Sequence, residues 1–236
     1  MKVKILGGVI VLAVLSIVVY KAASKGQSSR LEGIPHKNQV SWRVEKAKKE
    51  GLNRIELEPP TIDYLGAEDS DLNSALQSYS VVVATPVDER VNVQTDTGND
   101  LLTWTKFRIT EELSPLRPPV CANCNSYVPP KEMLPLQPGE FLIPKTGGEQ
   151  TIDGVTVSEV DPGFPAFKSG LNYLLLISLY PNGVAFTLGG PTGVFTVSEG
   201  GHLSPVSAKK HPLKDEMKSI YGSSLDHVRA VTKASR

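Results

Sequence analysis

No charge of one sign dominates this chain: 25 Lys and Arg stand against 25 Asp and Glu, a formal net charge of zero. Nucleic-acid binders draw much of their affinity from cationic side chains that displace counterions from phosphates, so this balance argues against nucleic acid as a partner. It also argues against an acidic disordered tail protein. Cysteine is scarce: two residues cannot staple 236, and packing must hold the fold. Familiar catalytic signatures are missing. There is no G-x-S-x-G elbow, and Gly189-Gly190-Pro191-Thr192-Gly193 is not followed by the Lys-Ser/Thr of a phosphate cradle. It reads as a tight connection between strands. His36, His202, His211 and His227 are scattered without H-x3-H spacing.

Long apolar runs are equally rare. Ile5 to Tyr20 is uncharged, with Lys2 and Lys4 before it and Lys21 after it, and no second run approaches its length. As a helix it would reach about 24 Å at 1.5 Å per residue, a little short of the roughly 30 Å hydrocarbon core. Snorkelling lysines and an interfacial Tyr20 close the gap. Two readings stand. An uncleaved anchor needs no cleavage site. A cleaved signal peptide would use the small residues Ala22 and Ser24, with Lys21 unusually close to the apolar core. Lys2 and Lys4 favour an inside amino end, which places the main domain outside the cytoplasm, periplasmic or extracellular. Lys21, Lys25 and Arg30 on the far side weigh against that orientation.

The 18 prolines and 20 glycines promise many turns, and a hydrophobic content of 40% supplies one real core. Residues 1–24 form the anchor or signal and 25–68 a linker with an amphipathic helix. Residues 69–207 form a β-barrel domain carrying a Pro/Cys-rich loop at 114–138, and 208–236 a helical tail. Val40, Val44 and Ala47 share one stripe of the predicted helix, and Gly51 stops it. Ser70 or Asp71 caps a further helix over Leu72 to Tyr79. Strand patterns follow at Tyr79–Val87, Arg90–Thr95, Leu101–Thr110, Glu140–Pro144, Val155–Val157, Tyr173–Tyr180, Val184–Leu188 and Val194–Val197. In the third, Phe107 and Ile109 alternate with Lys106 and Arg108. Trp42 is expected to pack and Trp104 to sit in the barrel wall. Val184, Phe186 and Leu188 are expected on one face, and Leu174 with Leu176 on one face of the most apolar strand. Many short strands with little helix between them predict a mainly β chain: a small antiparallel OB-like barrel with an N-terminal transmembrane helix and peripheral helices.

The order SALQSYSVVVATPV, TWTKFRITEEL, a Gly-Gly turn, IDGVTVSEVDPGFPAFKSGLNYLLLISL and GGPTGVFTV resembles a set of uncharacterised bacterial exported proteins built on a small β-barrel. That layout in turn is similar to the netrin-like, OB-type barrel of tissue inhibitors of metalloproteinases. The resemblance covers roughly Asp71 to Gly201. It implies that Phe164, Phe167, Gly170, Tyr173, Leu174 and Leu175 are barrel core and turn positions. Those inhibitors dock through an amino-terminal Cys that this sequence lacks, and fold likeness alone assigns no activity.

Cys121-Ala-Asn-Cys124 is the most distinctive local feature. Pro118-Pro119 and Pro129-Pro130 leave no room for the long helix of a thioredoxin-type site. Two thiols are half a zinc site. The plainest reading is a disulfide between Cys121 and Cys124 pinching a surface loop. Asp69-x-Asp71-x-Asn73 begins like a calcium loop but carries Ser74 where Gly is needed and Ser80 where Glu is needed. Lys106 and Arg108 beside Trp104 mark the place where a barrel of this type would stack single-stranded bases. The expectation is a membrane-tethered extracytoplasmic β-barrel module with a binding or envelope-structural role. Its partners are the membrane, through residues 5–20, and a protein of unknown identity, with no nucleic acid. No catalytic, cofactor or metal residues are assigned. The alternatives are a thiol- or metal-dependent enzyme using Cys121 and Cys124, or a protease-inhibitor-like module.

Overall fold

The computed structural model describes residues 40–57, 78–94, 100–117, 119, 127–207, 214–216, 218 and 223–234. The chain divides at Gln39/Val40. The run Ile5–Tyr20, the helix expected from Leu72 (apart from its last two residues), and Cys121 and Cys124 lie outside the described residues. No described helix is long and apolar enough to cross a membrane.

Helix α1 (Val40–Lys49) buries Val40, Val44 and Ala47, the i, i+4, i+7 stripe of the sequence. Gly51, at φ 72°, provides the left-handed exit, where Leu52 N–H donates to Ala47 O at 2.9 Å. Ten strands follow in chain order among the described residues. They are β1 (Arg54–Glu56), β2 (Ser80–Gln94), β3 (Asp100–Glu112), β4 (Glu140–Thr146), β5 (Gly148–Ile152), β6 (Val155–Glu159), β7 (Asn172–Leu179), β8 (Ala185–Thr187), β9 (Val194–Val197) and β10 (Leu203–Pro205). Helix α2 (Leu225–Ala234) ends the described chain.

The larger sheet runs β10-β9-β7-β2-β3-β4, with β8 also paired to β7. Every ladder in it is antiparallel. The β2–β3 register shifts twice, at Val83/Ala84 where β3 carries the extra residue Thr110 and at Pro86/Asp88 where β2 carries the extra residue Val87; β2 leaves β7 after Ala84 and stays on β3. Pro86 is tolerated there because its missing N–H faces the edge that no ladder uses. The smaller sheet is β1-β6-β5, with β1 parallel to β6.

The expected mainly β, antiparallel character is therefore present, but the expected closed barrel is not. Between β4 and β8 the described residues make one parallel bridge, Leu142↔Val184, supported by Leu142 N–H donating to Gly183 O at 2.9 Å. Strand β8 is too short to extend this bridge into a ladder: Gly189, at φ 51°, turns the chain into a 3-10 turn over Gly190–Gly193 before β9 begins. That turn is the strand connection read from the sequence.

Period-two alternation assigns side chains to the two faces of the curled sheet. The inner face holds Val82, Phe107, Phe141, Ile143, Tyr173, Leu175 and Ile177, closed by Phe164 and Phe167. Of the core and turn positions that the resemblance implied, Phe164, Phe167, Tyr173 and Leu175 lie on this face, Gly170 turns the chain at φ 79°, and Leu174 lies on the other face. On the outer face, Val81, Val83, Leu174 and Leu176 pack under Leu225 and Val228 of α2. Leu174 and Leu176 do share a face. Leu188 does not join Val184 and Phe186: it lies under α2, because the chain turns after Thr187. Arg229 of α2 forks onto Glu111 at 2.9 and 2.7 Å. A third cluster joins α1 to Leu101, Val155 and Val157. Trp42 is not packed as expected. It is 41% exposed, with Lys46 Nζ 5.6 Å from its ring centroid.

Candidate functional site: an aromatic seam and a buried lysine

Two places bring chemistry-bearing side chains together. The first is on the outer face, where β3, β4 and β8 meet the Pro-rich segment. Trp104 is fully buried, and its indole N–H donates to Asn92 Oδ1 at 2.8 Å. Its edge meets Tyr127 at 6.3 Å, Tyr127 meets Phe186 at 5.3 Å, and Phe186 meets Tyr180 at 5.6 Å. These offsets are the edge-to-face geometry that aromatic quadrupoles favour.

Met133, on the 3-10 turn Lys131–Met133, is driven fully into the seam beside Leu142 and Val184. Asn182 Nδ2 donates to Tyr127 O at 3.4 Å, tying the segment to the β7–β8 turn. Tyr127, Tyr180 and Phe186 are half-buried. Beside them the segment exposes Val128 at 66% and Leu134 at 43%. Apolar side chains held out next to an aromatic seam make a patch that a monomer gains nothing by exposing.

Cys121 and Cys124 precede this segment and lie outside the described residues. Trp104 offers no stacking face to solvent, and Arg108, four residues further along β3, is tied to Glu140 at 2.7 Å. Glu140 also accepts from Gln137 N–H at 3.0 Å. That backbone donor first, and Arg108 second, hold its carboxyl below the usual glutamate value.

The second place is the polar end of the inner face. Lys145 follows Phe141 and Ile143 at period two, so its side chain is carried inward and is 9% exposed. Nζ donates to Phe164 O at 3.0 Å and lies 5.9 Å from the centre of the Phe164 ring. Burial pushes the ammonium below its ordinary pKa, while the charges of Asp161 and Glu89 pull it back. Thr105 Oγ1 reaches Glu89 Oε2 at 3.4 Å, and Thr103 Oγ1 donates to Gly147 O at 2.6 Å.

Gly147-Gly148 forms the corner between the two sheets. At φ 139°, a Cβ on Gly148 would lie 2.7 Å from Thr103 Oγ1 and 2.7 Å from a Val91 methyl, so only glycine fits. Among the described residues no group of three or more His, Cys, Asp or Glu is placed to hold a metal.

Neither Tyr127 nor Lys145 stood out in the sequence. Parity alone could have flagged Lys145: in EFLIPKT it occupies the inward position of an otherwise apolar set. Tyr127 sits in a segment without periodicity and carried no comparable signal. Comparison with known proteins returns no matching family model, no matching curated protein and no matching solved structure.

Proposed function

We propose that this chain is a membrane-tethered β-sheet module, held outside the cytoplasm by residues 5–20, that binds a protein of the cell envelope. The observation that carries the binding role is the apolar patch of Val128 and Leu134 beside the half-buried Tyr127, Tyr180 and Phe186. Partner surfaces are typically built this way, with aromatic anchors flanked by apolar side chains. The tether rests on the uncharged run Ile5–Tyr20 and its flanking lysines. The cyclic neighbour order β7-β2-β3-β4, bridged at Leu142↔Val184 to β8 and back to β7, supports an OB-type ancestry in which the last seam is a single bridge.

Membranes stripped with carbonate test the tether. The full-length chain should stay with the pellet, and a soluble form beginning near Lys25 would show a cleaved signal instead. Val128→Asp with Leu134→Asp tests the patch. The double variant should keep its melting transition and lose the protein that co-purifies with the wild-type chain after cross-linking in intact cells.

A further inference from the structure

The segment from Asp161 to Gly170 crosses the polar end of the inner face without pairing to any strand. It sends two rings inward: Phe167 meets Phe107 and Tyr173 edge-on at 4.8 and 5.2 Å, and Phe164 meets Phe167 edge-on at 5.5 Å. Asp161 Oδ1 accepts from Gly163 and Phe164 N–H at 2.8 and 3.1 Å, Lys168 N–H donates to Tyr173 Oη at 2.7 Å, and Lys145 donates to Phe164 O. Gly170, at φ 79° with open space around it, is a ready hinge.

Lys145 itself is under-satisfied. An ammonium has three N–H donors. One hydrogen bond to a neutral carbonyl is what this one has among the described residues, and no carboxylate comes within ion-pair distance. Asp161 and Glu89 act on it from beyond ion-pair distance, so a carboxylate that reached hydrogen-bond distance would satisfy donors they leave open.

From this arrangement we infer that the 161–170 strap is a built-in pseudo-ligand, and that the inner face binds small carboxylates bearing an aromatic tail when the strap lifts. Phe164 presents to Lys145 an oxygen at hydrogen-bond distance and an aromatic ring close behind it. A phenyl-substituted carboxylate offers the same pair of groups, with a full negative charge in place of the carbonyl dipole. Its ring would take the place of Phe164 against Phe167, and its carboxylate would complete the Lys145 shell. This inference is independent of the proposed tether and of the outer patch.

The test titrates the full-length protein with 3-phenylpropionate and with its neutral amide, by calorimetry and by hydrogen–deuterium exchange. The acid should bind at least about tenfold more tightly than the amide, a difference of about 1.4 kcal/mol. Exchange of the amides at 163–168 should rise on binding while β3 stays protected. Lys145→Met, which keeps the stem and removes the charge, should bind acid and amide alike. Phe164→Ala should bind the acid more tightly than the wild type, because the competing ring is gone. The inference is overturned if wild type and Phe164→Ala both fail to bind the acid, if acid and amide bind equally to the wild type, or if Lys145→Met retains the preference. Should Lys145→Met fail to fold, Phe164→Ala and the acid–amide comparison still decide.

Discussion

Two aromatic assemblies sit on opposite faces of the same curled sheet, and they spend their rings differently. Inside, Phe107, Phe141, Phe164, Phe167 and Tyr173 are all buried, and neighbouring rings touch at 4.8 to 6.1 Å. Outside, only Trp104 is fully buried, while Tyr127, Phe186 and Tyr180 remain half open beside exposed Val128 and Leu134. The same residue types therefore serve as core on one face and as surface on the other. The difference lies in what covers them. The inner face is roofed by a strap that contributes two of its own rings. The outer seam is roofed by a Pro-rich segment that contributes Tyr127, Met133 and Leu136 and leaves Val128 and Leu134 in solvent.

If that division is right, substitutions should separate the faces by size of effect. Phe107→Ala removes the ring that Phe141, Phe167 and Tyr173 all contact and should cost about 3–5 kcal/mol. Tyr127→Ala should cost about 1 kcal/mol, the ordinary range for a half-buried position. Equal costs in denaturant titrations would erase the distinction. Leu176→Ala, under α2, should cost about 2–5 kcal/mol, and a change below about 0.5 kcal/mol would place Leu176 outside the core.

Acid sharpens the picture further. Arg229 lowers the carboxyl pKa of Glu111, and Gln137 N–H with Arg108 lowers that of Glu140. Groups held low in the fold contribute stability that is complete above the unfolded value of about 4.3 and fades as pH falls through the lower folded values. Both arginines are largely exposed, so screening limits the joint contribution to about 1 kcal/mol. Glu111→Gln with Glu140→Gln should flatten the melting temperature between pH 5 and 3, and an unchanged acid limb would refute these assignments.

The smallest effect belongs to the thiols. Cys121→Ser with Cys124→Ser should leave the melt nearly unmoved, well under the roughly 3 kcal/mol of a 15-residue loop, because a short proline-flanked loop has little entropy left to lose. A melt that collapses on chelation would instead point to metal.

Strands whose apolar residues alternate or run together were legible: β3, β4, β7 and β9 fall where the patterns put them, as does the α1 stripe, while the two patterns at Tyr79–Val87 and Arg90–Thr95 are one continuous strand, β2, that runs through the Val87 bulge. Strands β1 (RIE), β5 (GEQTI) and β10 (LSP) were not legible. They are short and polar, and owe their form to the partners they pair with, β6 for the first two and β9 for the third. The barrel expectation failed at one seam for a comparable reason. Closure depends on β8 being long enough to ladder with β4, and strand length is set by the Gly189 turn, which composition does not weight. Trp42 shows the limit of residue type as a guide. Its place on α1 falls outside the buried stripe, and the position decides its exposure. At the candidate sites, Phe164 and Phe167 were expected as core only through the resemblance, and no periodicity marked them. Lys145 and Tyr127 acquire their meaning only from what the fold carries to them.

The central claim, that the outer seam is a binding face, is tested most directly by a photo-crosslinking amino acid placed at Val128 and, separately, at Trp42 in intact cells. Both positions are exposed, so both probes meet solvent and neighbours. A discrete protein adduct from Val128, lost when Leu134→Asp is added and absent from Trp42, is the predicted result. Adducts from Trp42 with none from Val128 would contradict it.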